Sequence, residues 1–252
     1  VSFAVTADAY DRFMGRYSSL LSPQLADYAG VRSGQRVIDV GCGPGALTSE
    51  LIDRLGPTNV SAVDPSEPFI AAVRERFPTA DARLAAAEAL PFPDNAFDAA
   101  LAQLVVHFMS DPVAGLREMT RVVRRDGVVA ACVWDHAGGH GPLSVFWEAA
   151  RELDPDVKDE SRRAGARAGH LAELLVEAGL RSVEATALVV SVTHVSFEDW
   201  WQPFTLGVGP AGAYTAGLDA SRRAELKERC RELLPRAPFE LAARAWTARG
   251  LV

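Results

Sequence analysis

The run Val37-Ile38-Asp39-Val40-Gly41-Cys42-Gly43-Pro44-Gly45 constrains this chain more than any other segment. Its apolar start, cut off by glycine, reads as a buried strand. The glycines permit a tight turn and let a ligand approach the main chain. Ala46 to Leu55 then has helical spacing, with Leu47, Leu51, Ile52 and Leu55 on one face. Strand, glycine turn and helix in this order belong to α/β folds. There, ligands sit beyond the carboxyl ends of the strands, at a topological switch point.

The same alternation continues along the chain. Val60 to Val63, Ala82 to Ala86, Ala96 to Ala102 and Gly127 to Trp134 read as further strands. Helices start after Ser66 and at Asp111. The strands are continuously apolar rather than alternating, as expected for a parallel sheet covered on both faces. Before the first strand, Ala7 to Gly30 reads as helical with a break near Ser22-Pro23. After Trp134 the pattern changes to a glycine-rich loop and then cap helices from Leu143 to about Ala168. Beyond these come a compact helix over Leu171 to Gly179, a long strand over Val183 to Val195 and an aromatic helix over Phe197 to Leu206. A charged helix over Ala220 to Leu234 and a last strand over Phe239 to Thr247 close the chain. Two late strands without a normal crossover suggest an antiparallel edge pair. The fold expected is α/β: a Rossmann-like, mostly parallel seven-stranded sheet with helices on both faces, an antiparallel last strand and a small helical cap made by insertions.

Composition narrows the function. A net charge of -7 over 252 residues disfavours generic nucleic-acid binding, which rests on neutralising phosphates. No stretch of about 18 uninterrupted apolar residues is present, so no membrane span is expected. Nor does the N-terminus read as a signal peptide. Cys42, Cys132 and Cys230 are few, odd in number and far apart, which gives neither a disulfide framework nor a metal spacing. They fit a reducing, cytoplasmic setting. No metal is expected.

Gly41-x-Gly43-x-x-Ala46 satisfies a loose dinucleotide fingerprint, a weak signal by itself. Two details separate the readings. Asp39 places a carboxylate at the strand end, which suits a cationic ligand better than a pyrophosphate. Pro44 removes a backbone N–H that a pyrophosphate site would use. Asp64, about one strand-helix-strand unit onward, stands where an acidic residue grips ribose hydroxyls. Ala85-Ala86-Ala87-Glu88 offers small residues that leave room for a flat base, beside a hydrogen-bond acceptor.

Asp39-Val40-Gly41-Cys42-Gly43-Pro44-Gly45, Asp64-Pro65-Ser66, Ala87-Glu88-Ala89-Leu90-Pro91-Phe92 and Asp98 together resemble the successive motifs of Rossmann-like (class I) S-adenosylmethionine methyltransferases. The likeness is strongest to the small-molecule group called type 11 and covers roughly residues 34 to 135. Arg124-Arg125-Asp126-Gly127 replaces the Pro-Gly turn usual before the fifth strand, and Asp-Gly makes an acceptable turn. The resemblance implies one methyltransferase domain: an N-terminal helical cap over 1–33, a cofactor-binding core over 34–135, and sheet completion with substrate-cap insertions over 136–252.

It also implies that Asp39 and the turn through Gly41, Cys42, Gly43 and Gly45 face the methionine part of S-adenosylmethionine. Asp64 would hold the ribose, Pro65 and Ser66 would border the adenosine, and Ala87 and Glu88 would meet the adenine. Gln103 would lie near the methionine end, and Arg16 would pair with the cofactor carboxylate. Tyr10-Asp11-Arg12-Phe13-Met14-Gly15-Arg16-Tyr17 resembles a segment that folds over the cofactor in some members.

The expected partner is a small-molecule acceptor, with neither nucleic acid nor membrane, and the chain is expected to be a monomer or homodimer. The acceptor's pocket is expected at Tyr10, His107, His140, Trp200, Trp201 and Phe204. His107 is the candidate catalytic base, because histidine titrates near neutral pH; packing against the pocket is the competing account. His136 and His140, in the glycine-rich loop, are either solvated or turned toward a substrate or metal. The rival functions are an NAD(P)-dependent oxidoreductase and a non-catalytic S-adenosylmethionine-binding module.

Overall fold

A computed structural model describes residues 6–252. Seven strands form one sheet: β1 (Val37–Val40), β2 (Val60–Asp64), β3 (Asp81–Leu84), β4 (Phe97–Gln103), β5 (Val123–Trp134), β6 (Arg181–His194) and β7 (Phe239–Leu251). Their order is β3-β2-β1-β4-β5-β7-β6. The first five pair in parallel, and β7 runs against both β5 and β6. The expected seven-stranded, Rossmann-like sheet with its antiparallel last strand is present.

Period-two geometry explains why the strands are apolar throughout. In β4, Ala99 and Leu101 enter one core, while Ala100 and Ala102 enter another. In β5, Ala130 and Cys132 divide from Val129, Ala131 and Val133 in the same way. On the first face pack α2 (Arg16–Tyr28), α3 (Ala46–Leu55), α6 (Ser144–Leu153) and α10 (Ala220–Leu233). On the second pack α5 (Pro112–Val122) and α7 (His170–Glu177). A smaller cluster joins Ile70 and Val73 of α4 (Glu67–Arg76) to Ala62, Ala82 and Cys42.

Four local expectations are corrected. The N-terminal helix does not break at Pro23; α2 runs through it. The irregularity lies earlier, in a π-helical turn over Asp11–Gly15 between α1 (Ala7–Tyr10) and α2. The cap helix stops at Leu153 rather than near Ala168. Asp154 precedes a proline, which disfavours helical geometry, and Gly165 and Gly169 both adopt positive φ. The aromatic helix is α8 (Phe197–Trp201) followed by a 3-10 turn over Gln202–Leu206. Residues 207–219, with glycines at 207, 209, 212 and 217 and a proline at 210, read as no element between the aromatic and charged helices, yet Gly209–Gly217 is helical (α9). A Cβ on Gly212 would stand 2.6 Å from the Gly207 carbonyl carbon, so glycine permits this packing where helix propensity opposes it.

The switch point falls between β1 and β4, whose neighbours lead outward in opposite directions.

Candidate active site

A cleft of about 300 Å³ opens at the switch point. It is lined by Gly41 and Gly43 after β1, Asp64 and Pro65 at the end of β2, Ala86 to Glu88 after β3, and Gln103 to Val105 at the end of β4. Tyr10 and Phe69 close one side, their rings edge to face at 5.4 Å.

The glycine turn is held from below. The Gly41 and Cys42 N–H groups both donate to the Val63 carbonyl, at 2.8 and 2.9 Å. Gly41 has φ +73°, and a Cβ there would lie 2.3 Å from Val105 Cγ2. The Gly43 N–H donates to Asp64 Oδ2 at 2.9 Å, and the Ser66 N–H donates to Asp64 Oδ1 at 2.8 Å. These bonds fix the Asp64 carboxylate on the cleft wall with lone pairs to spare. Burial raises its pKa, and the two backbone donors oppose the rise.

Asp39 is fully buried and does not line the cleft. Its Oδ2 accepts from Thr48 Oγ1 at 2.7 Å, while its Oδ1 has no partner. Burial pushes its carboxyl up to about 7. Cys42 and Gly45 also lie behind the wall: Cys42 packs with Ile70 and Val73, and Gly45 caps α3. Ser66 caps α4 beside the cleft. Glu88 lines it, but its Oε1 accepts from the Ser110 N–H at 2.7 Å and the Asp111 N–H at 3.2 Å. Gln103 donates through Nε2 to the Ser18 carbonyl at 3.2 Å and to Ser22 Oγ at 3.0 Å. Its Oε1 is buried without a partner.

Arg16 is not at the cleft. Its guanidinium donates to the Thr193 carbonyl at 2.9 Å and to Asp199 at 3.1 Å, tying α2 to β6 and α8. The π-helical turn before Arg16 directs Tyr10, Phe13 and Met14 toward the site instead.

Beside the cleft lies a tight chamber of about 30 Å³, room for one or two waters. Tyr10, Leu104 and Phe108 line both spaces. Leu104 has φ +61°, a conformation a branched residue adopts at a cost of about 1–3 kcal/mol. The chamber's other walls include Phe13, Met14, Trp134, Leu143, Val208 and the polar trio His107, His136 and Glu160. Burial holds the His107 imidazole well below its usual range and lowers His136 to about 4, so both rings are neutral near pH 7. Glu160 is pushed up to about 7 by burial.

Of the expected pocket residues, Tyr10 and His107 are in this chamber. His140 is not: it is exposed, and its Nδ1 lies 2.7 Å from the Arg244 guanidinium and 3.2 Å from Asp135. Trp200, Trp201 and Phe204 line neither the cleft nor the chamber. They are core residues; Phe204 stacks on Phe146 at 4.6 Å and meets Phe13 edge-on at 5.2 Å. The sequence reading missed Glu160 and Val208 to Pro210 altogether. Glu160 stands in a charged stretch that reads as a solvated face.

The methyltransferase-domain family matches residues 38–131, the segment that builds β1 to β5 and most of the cleft. A malonyl-[acyl-carrier protein] O-methyltransferase of Erwinia billingiae is 30% identical over 202 residues, covering 68% of this chain and 79% of the relative. The chain belongs to the class I S-adenosylmethionine-dependent methyltransferases. An uncharacterised methyltransferase of Mycobacterium tuberculosis is 33% identical over 135 residues, 54% of this chain and 52% of the relative. The chain thus spans about half the length of the first curated relatives it matches. The fold of this chain is shared with the YcgJ protein of Bacillus subtilis, at 17% identity and a TM-score of 0.59, over 93% of this chain and 97% of that one. No helix among the described residues is long and apolar enough to cross a membrane.

Proposed function

We propose that this protein transfers the methyl group of S-adenosylmethionine to a small-molecule acceptor. One observation carries the reading: the glycine-turn cleft, with Asp64 fixed on its wall, adjoins an apolar chamber across Tyr10, Leu104 and Phe108. The residues present fit the cofactor. Gln103 Oε1 is a buried acceptor without a partner, which matches the ammonium of the methionine part. Asp64 accepts from the ribose hydroxyls, and Pro65 and Ser66 border the adenosine. Ala87 leaves space for the adenine, and Glu88 offers Oε2 there. Asp39, Cys42 and Gly45 act from behind, by shaping the turn.

When bound, S-adenosylmethionine supplies an electrophilic sulfonium methyl. The chain's task is then alignment and exclusion of water, and positioning alone lowers a barrier by roughly 7–11 kcal/mol. Phe13, Met14, Trp134 and Leu143 give the chamber apolar walls, which disfavour bulk water beside the reacting atoms. A base is needed only for an acceptor that carries a proton, and the neutral His107 imidazole is in the form that takes one. A chamber this narrow must widen when an acceptor enters.

The test is release of S-adenosylhomocysteine from S-adenosylmethionine across a panel of hydroxyl, amine, carboxylate and carbon-acid acceptors. Acceptor-dependent release, lost in Asp64→Ala, is expected. Cofactor binding with no acceptor-dependent release from any class favours the non-catalytic binding module instead.

A further inference from the structure

His107, His136 and Glu160 come from three separate segments: the turn after β4, the loop after β5, and the irregular stretch between α6 and α7. Each offers a ligand atom, and the three atoms lie within 4.8 Å of one another. His107 is 6% exposed and Glu160 2%. His107 Nδ1 and His136 Nε2 are both buried without a hydrogen-bond partner. Glu160 receives one long hydrogen bond, from Trp147 Nε1 at 3.2 Å. Buried polar atoms left in this state cost free energy that a shared partner would recover.

The nearby cation does not supply that partner. Arg163 donates to the His107 carbonyl oxygen at 3.1 Å and lies over the Phe108 ring. Its charge acts on Glu160 and on both imidazoles from a distance, without a hydrogen bond to any of the three side chains among the described residues. Asp159 is likewise engaged, by Ser161 and Arg151.

We propose that His107, His136 and Glu160 bind one divalent transition-metal ion of the zinc class in the chamber wall. Two imidazoles and one carboxylate are a borderline donor set, suited to such ions rather than to calcium or magnesium. Ligands about 2.1 Å from one ion stand roughly 3.4 Å apart in a tetrahedron, so rotations of about an ångström complete the set. Three protein ligands leave an open position, and here it faces the chamber, as at catalytic rather than structural sites. Neutral imidazoles keep the lone pairs that binding requires. The proposal stands on this cluster and does not depend on the methyl-transfer reading. If both hold, the ion would orient an oxygen or nitrogen of the acceptor.

The full chain, stripped with a chelator and dialysed, is titrated with Zn²⁺ by calorimetry and with Co²⁺ by visible absorption. One equivalent should bind, with the intense d–d bands of a four- or five-coordinate site. His107→Gln, His136→Gln and Glu160→Gln should each weaken binding by at least about ten- to a hundredfold, the range that disturbing even outer-sphere partners produces. His140→Gln, at the exposed loop, should leave it unchanged. Absence of stoichiometric binding, or binding equal in all variants, overturns the site and leaves the His107 lone pair free for the proton-acceptor role, which metal ligation would otherwise occupy. A parent Co²⁺ spectrum like that of the aqua ion overturns it even if the variants fail to fold. S-adenosylhomocysteine binding, measured on the metal-free chain, reports separately on the cofactor cleft.

Discussion

The cofactor cleft and the helical cap above it are built in opposite ways. The cleft takes its wall from strand ends: Gly41 and Gly43, Asp64, Ala87 and Gln103 each stand at, or just past, the carboxyl end of one of the parallel strands. Their places are set by backbone geometry, so the spacing of a few motifs reveals them. The cap is assembled from stretches far apart in sequence, with Phe13, Leu143, Glu160 and Val208 meeting around one chamber. Nothing local announces that meeting. A site made of strand ends is specified by periodicity, whereas a site made of packed insertions is specified by tertiary contact.

Three variants sharpen that contrast. The largest effect is expected in the cap. Trp201 is buried against Phe197, Phe146 and Phe204, so Trp201→Leu should lower stability by about 2–4 kcal/mol in urea unfolding. Below the melting transition its affinity for S-adenosylhomocysteine should equal the parent's. Unchanged stability with lost acceptor turnover would return the ring to the pocket wall.

The cleft should respond in the other way. Asp64→Ala removes the proposed acceptor of two ribose hydroxyls, a role that would be worth about 1.5–3 kcal/mol as charged hydrogen bonds. Calorimetry should show the dissociation constant rise at least about tenfold. Stability should fall as well, because the Gly43 N–H loses its acceptor. An affinity equal to the parent's would remove Asp64 from the ribose site.

The smallest effect concerns the buried support beneath the turn. The Asp39 carboxyl is held up near 7, against an ordinary value of 3.8, because burial disfavours its charge. A raised folded pKa means that its stability contribution is complete below about pH 4 and is lost as pH rises through 7. The cofactor-free parent should therefore lose about 1 kcal/mol between pH 6 and 8 that Asp39→Asn retains. Parallel stability curves for the two proteins would contradict this account of Asp39.

The same contrast explains what the sequence made legible. The sheet, its antiparallel last strand and the glycine turn follow from apolar runs and turn residues. Arg16 misleads because the π-helical turn at Asp11–Gly15 alters the register of the helix and sends its guanidinium to Thr193 and Asp199. The aromatic run from Phe197 to Phe204 misleads because composition cannot distinguish a lined cavity from a filled one. Here Phe146 stacks on Phe204 and tilts against Trp201, and the rings pack into the core. Glu160 is hidden because a buried carboxylate and a solvated one look alike in a charged stretch. Leu104, at φ +61° between cleft and chamber, leaves no sequence mark, because leucine is not a residue that signals left-handed backbone.

The proposed function requires a cleft shaped for S-adenosylmethionine rather than for a dinucleotide. Calorimetric titration of the purified chain with S-adenosylhomocysteine, and separately with NADH and NADPH, tests it most directly. Saturable one-to-one binding of S-adenosylhomocysteine, undisturbed by either dinucleotide, is predicted. Tight binding of NADH or NADPH with none of S-adenosylhomocysteine would contradict it.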